Sequence, residues 1–98
     1  MIYTHLYISY IKQNHYTDVS RMVTMYKHRR LDIPPINVIR TSILLDCVSE
    51  CIQDEQCVRV NFNEAQSICE ELDGSVNGGG AWDDVLDADE DWLFLTSG

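Results

Sequence analysis

The chain has 98 residues, 45% of them hydrophobic, and a formal net charge of −9, which suits one domain with a small core and excludes wholesale disorder. So acidic a balance excludes general nucleic-acid binding, which needs Lys and Arg against phosphates, and adsorption to anionic membrane surfaces. No stretch approaches the ~20 apolar residues of a spanning helix, so no direct membrane insertion is expected.

Residues 1–20 read as an N-terminal extension. Tyr3, Tyr7, Tyr10 and Tyr16 stand among Ile and Leu, but neither a period of 3.6 nor one of 2 runs through them. The opening residues lack the basic region, unbroken apolar run and small-residue cleavage site of a signal peptide. Arg21 to Lys27 is rich in Val, Thr, Tyr and Met and predicts a strand. Pro34-Pro35 cannot donate to a sheet ladder, so a turn or irregular crossing follows. Val38 to Arg40 predicts a second, short strand.

A helix follows, with Thr41 or Ser42 as the expected N-cap and Asp46 early, where the helix dipole favours an anion. Leu44, Cys47, Val48 and Cys51 recur at i, i+3, i+4 and i+7 and so share one face. The apolar pattern ends near Gln53. Val58, Val60 and Phe62 then alternate with Arg59, Asn61 and Asn63, which predicts a strand with one wet face. A turn at 63–66 returns the chain through Ser67 to Leu72 as a hairpin partner. An acidic, Gly-rich loop is expected over about 73–91, and DWLFLT, with Trp92, Phe94 and Thr96 at alternate positions, predicts a closing strand.

All four cysteines lie between Cys47 and Cys69. An even count at close spacing in a small chain points to two disulfides and an oxidising compartment. The export signal that this compartment requires is then expected outside this chain. Cys47 and Cys51 sit at i and i+4 on one helix with nearly parallel Cβ bonds, poor geometry for a bridge between them. Each is expected to bridge outward: Cys51 to Cys57 by a short closure, and Cys47 to Cys69 on the returning strand. Cys57 has the parity of Arg59 and Asn61 rather than of Val60 and Phe62, so it must precede the strand proper or stand beside a bulge. The spacing also admits zinc held by four thiolates, or free thiols.

The order strand, strand, helix with Cys-x3-Cys, Cys-x5-Cys into an alternating strand ending Asn-Phe-Asn, then a hairpin to Cys69-Glu70, resembles the PAN/apple domain. Residues 22–72 carry the resemblance, with DWLFL resembling the family's closing aromatic strand. VIRT before the helix and VRVNFN after Cys57 are similar to short PAN forms of invertebrate extracellular proteins. The resemblance implies an α+β fold: one short helix packed on a small antiparallel β-sheet, its core disulfides joining helix to strands in the pairing above. The four cysteines match the form without the third, terminus-linking bridge of apple domains. One residue more than is usual in the family separates Cys69 from Leu72. The division implied is residues 1–20 as the extension and 21–98 as the PAN/apple-like domain.

The resemblance implies a non-catalytic, extracellular or secreted binding and adhesion module that recognises protein or carbohydrate, with no cofactor. Two other readings stay open: a small zinc-stabilised intracellular domain, and a purely structural spacer. Lys27, His28, Arg29 and Arg30 form the one basic cluster, suited to a sulfated glycan or an acidic partner, or equally to guarding a strand end with charge. Asp87 to Asp91 fails as a calcium loop of the EF-hand type, because Trp92 and Gly98 stand where Gly and Glu are required. His5, His15 and His28 accompany no nucleophile motif, so catalysis is not expected. No Asn-x-Ser/Thr site is present. Trp82 and Trp92 are expected in the core or over it.

Overall fold

The computed structural model describes the backbone of residues 3–11, 18–79 and 81–97, and the side chains of 23–79 and 81–96. In chain order the elements are β1 (Tyr3–Ile11), β2 (Asp18–Arg30), β3 (Asn37–Arg40), α1 (Leu44–Gln53), β4 (Arg59–Asn63), β5 (Ile68–Leu72), α2 (Trp82–Val85) and β6 (Asp87–Ser97). The strands form one six-stranded sheet in the order β1-β2-β6-β4-β5-β3, and every pairing is antiparallel. The fold is α+β, with the longer helix packed on a small antiparallel sheet, as expected.

Local chemistry explains most boundaries. The helix α1 buries Cys47, Val48 and Cys51 against the sheet, the face marked by the apolar spacing. Its N-cap is Ile43, with no side-chain cap bond, which corrects the expectation of Thr41 or Ser42. Thr41 Oγ1 instead accepts the Ile43 N–H at 3.1 Å, closing a turn one residue too early to reach the helical amides. At the other end Asp54 Oδ1 accepts the Gln56 N–H at 3.0 Å, turning the chain towards β4.

Strand alternation puts two apolar clusters on opposite faces of the sheet. On the helix side lie Val23, Met25, Val60, Phe62, Cys69 and Leu95 with the buried residues of α1. On the far side lie Leu31, Leu72, Trp82, Leu86 and Phe94, joined by Ile33 and Val76 from the two long connections. The expected wet face of β4 is therefore corrected. Asn61 and Asn63 are both fully buried, and Val58 is 41% exposed. The reason is position: β4 lies between β5 and β6, and the connections through Leu31 and Trp82 cover its second face. Phe62 on the helix side and Phe94 on the far side are both buried, each burial favouring folding by about 1.5–3 kcal/mol.

The extra residue between Cys69 and Leu72 has a simple outcome. β5 pairs with β4 in unbroken register, so two residues three apart point to opposite faces. Cys69 joins the helix-side cluster and Leu72 the far one. Cys57 lies ahead of β4, which begins at Arg59.

The stretch 73–91 is not a loop throughout. It contains α2, and β6 begins at Asp87, four residues earlier than the predicted closing strand. The early start follows from pairing of Asp87 with Arg30 and of Ala88 with Arg29, the first of which sets opposite charges across the ladder. At the other end of the chain, Tyr3–Ile11 of the N-terminal extension pairs with Asp18–Tyr26 of β2. The expectations for Tyr16 and His15 lie outside the described residues.

Candidate functional site

The basic cluster sits where β2 leaves its neighbour β6. The ladder register shifts between Lys27 and Arg29, and the residue at the shift, His28, has φ 60°. Between those two pairs β2 carries one residue, His28, and β6 carries Asp89 to Trp92, so the extra residues lie on β6 and the ladder is locally interrupted. His28 is exposed, and its Nδ1 hydrogen-bonds the Glu90 carbonyl at 2.9 Å, across to β6. Arg29 Nη1 donates to the His28 carbonyl at 2.9 Å, stiffening the same bend.

Arg30 departs from its three neighbours. Its Nη2 donates to Glu70 Oε1 and Oε2 at 3.1 and 2.9 Å, and its Nε donates to Oε1 at 3.3 Å. Two-point pairing of a guanidinium with a carboxylate is the strong geometry for this ion pair. The guanidinium carbon also lies 4.6 Å from the Trp92 ring centre, within cation–π range. The bond to Glu70 holds the Arg30 pKa above its ordinary value, against the opposing effect of burial.

Glu70 is shared with a buried amide. Asn61 Nδ2 donates to Glu70 Oε1 at 3.0 Å and to the Leu31 carbonyl at 2.9 Å, and Asn61 Oδ1 accepts the Leu31 N–H at 2.9 Å. This network ties β2, β4 and β5 together beneath the cluster. Sequence spacing brings the four basic residues together. His28 is exposed and Lys27, Arg29 and Arg30 are each half-buried, and Arg30 is the one engaged by Glu70. The polar Asn61 of the supposed wet face was the one signal in the sequence for that partnership.

A second polar region, missed from sequence, lies at the end of α1. Glu71 is 1% exposed and accepts a bond from Asn37 Nδ2 at 3.4 Å. Burial pushes its carboxyl above the ordinary value. The Asn37 bond opposes this, and Asp54 and Glu50 add to it. The sequence carries these acids at residues 50, 54 and 71, too far apart to announce a common recess. Among the described residues no three His, Cys, Asp or Glu side chains are grouped to hold a metal ion.

Of the two tryptophans, Trp82 is buried and Trp92 half-buried. Trp82 packs against Phe94 with ring centres 4.9 Å apart and planes tilted by 51°, and carries the Arg59 guanidinium 4.8 Å from its ring centre. Burial there lowers the Arg59 pKa, with Asp73 opposing.

Cys47 is bonded to Cys69 and Cys51 to Cys57, and no cysteine is free. The zinc-stabilised alternative is thereby overturned, because a disulfide sulfur offers no thiolate to a metal. No helix among the described residues is long and apolar enough to cross a membrane. No curated protein and no solved structure matches the chain. A family model, the PAN domain, matches residues 22–88, from within β2 to the start of β6 and across both disulfides. With α1 bridged once to β5 and once to the segment that leads into β4, the chain belongs to the PAN domain family.

Proposed function

We propose that the chain is a non-catalytic binding module of an extracellular or secreted protein, recognising an acidic ligand, a protein or a sulfated carbohydrate, through Lys27, His28 and Arg29. Members of the PAN family are generally protein- or carbohydrate-binding modules. Two disulfides in so short a chain suit an oxidising compartment. The observation that supports the reading is the break in the β2–β6 ladder at the exposed His28, which lies between Lys27 and Arg29 on a chain of net charge −9. An anion reaching this molecule meets repulsion over most of its surface, and a local cationic edge then selects where it docks. Arg30 supports that edge by anchoring it to Glu70 rather than by contacting ligand.

A glycan array with wild type and Lys27→Ala/Arg29→Ala tests the assignment. Sulfated glycans are expected to bind wild type and to lose about tenfold or more in affinity with the variant, with steep salt dependence. Equal binding by both proteins removes the basic edge from the account.

A further inference from the structure

The far edge of the sheet offers a second surface, distinct from the basic edge. β3 is the terminal strand, paired only with β5. The Thr41 N–H donates to the Ser67 carbonyl at 3.1 Å, continuing the β3–β5 ladder. Alternation then directs Ile39 and Thr41 towards β5, and the backbone groups of Val38 and Arg40 away from the sheet. Consistent with this, the Val38 N–H is met by a side chain, Asn37 Oδ1, at 3.0 Å. That oxygen stands where the carbonyl of an added strand would stand. Two apolar side chains along this edge are uncovered, Ile36 at 37% and Val38 at 51% exposed, beside the exposed Asn37 and Arg40.

Asn37 also lines a recess on the helix side of the edge, with Glu50, Asp54, Glu55 and Glu71. The recess lies at the C-terminal end of α1, where the helix dipole is negative and the last turn contains no basic residue. Four carboxyl groups and a helix C-terminus therefore converge beside an open strand edge, with no cation among their described partners. An acidic recess flanked by exposed apolar residues complements one kind of occupant. A second copy of this chain fits poorly, because it would bring another acidic helix end against this one.

We propose that the β3 edge takes up an extended segment of a protein partner as an added strand, with a basic side chain seated beside Asn37. Strand addition derives affinity from main-chain bonds and specificity from alternate side chains. The residue opposite Asn37 projects to the helix side and places its Lys or Arg among the carboxyl groups. The residue opposite Val38 projects to the other face and is apolar. On docking, the partner's carbonyl replaces Asn37 Oδ1 at the Val38 N–H.

The test is a titration of the whole oxidised chain with a synthetic peptide of alternating lysine and valine, beside one of alternating glutamate and valine. The lysine peptide is expected to bind and the glutamate peptide not. Val38→Pro removes an N–H that bonds only to Asn37, so an edge position tolerates it while strand addition is blocked. Glu50→Gln/Asp54→Asn removes two recess charges, and Asp83→Asn/Asp84→Asn removes two from the exposed end of α2. The first two variants are expected to weaken binding about tenfold or more, the third to leave it unchanged, and the Arg40 amide to exchange more slowly in the complex. If Val38→Pro misfolds, the two charge variants and the exchange measurement decide. No binding, equal weakening by both charge variants, or unaltered exchange at Arg40 overturns the proposal.

Discussion

Single residues hold this fold at points where a polar or missing side chain has one specific job. Gly78 is the sharpest case. A Cβ placed on it would lie 2.3 Å from Cδ2 of Trp82, inside the ring's contact distance. Trp82 is itself pinned between Phe94 and Arg59, so it has little room to yield. Gly78→Ala is expected to destabilise by about 1–3 kcal/mol, the usual cost of overpacking, measured by denaturant unfolding. Glu71 is a second case, with a pH signature. Its carboxyl is raised in the folded protein by burial first and by Asp54 and Glu50 after it. The folded state therefore holds this proton more tightly than the unfolded chain. That stability is fully present below the unfolded carboxyl pKa and is lost as pH rises through the raised folded value. Glu71→Gln keeps the Asn37 contact and removes the titration. The variant should gain in melting temperature over wild type at neutral pH, and the gain should vanish as pH falls below the ordinary carboxyl range. An equal difference at all pH values would rule this out.

At the scale of elements, the helix and its cysteines dominate. Cys47–Cys69 closes a separation of 22 residues and Cys51–Cys57 one of 6. Loop entropy predicts roughly 3.4 kcal/mol for the longer closure and roughly 2.2 kcal/mol for the shorter. Cys47 and Cys69 are also fully buried, so replacing them leaves a void as well. Cys47→Ala/Cys69→Ala should therefore lower the melting temperature more than Cys51→Ala/Cys57→Ala. The same elements show what a sequence can reveal. The helix from Leu44, the hairpin of β4 and β5 and the short β3 follow from local periodicity and turn chemistry. The burial of Asn61 does not, because it depends on Leu31, thirty positions away, and on β6 covering the β4 edge. Polarity there marks a satisfied buried amide rather than solvent. The early start of β6 escapes for a similar reason. Its acidic residues look like linker until Arg30 stands across from Asp87.

For the whole molecule, the site was only partly legible. A run of four basic residues marks a place in sequence, but the interrupted β2–β6 ladder at His28 and the claim of Glu70 on Arg30 are long-range features that the run does not contain. The acidic recess drew residues from β3, α1, the turn after α1 and β5, and no window of sequence contains it. What unites both surfaces is a scaffold that carries them at opposite parts of one sheet and is oxidised when folded. The most direct measurement is a proteolytic mass map of the purified chain with thiols blocked and no reductant added. It should show every cysteine bridged, with Cys47 linked to Cys69 and Cys51 linked to Cys57. Blocked free thiols, or bridges joining Cys47 to Cys57 and Cys51 to Cys69, would contradict the account.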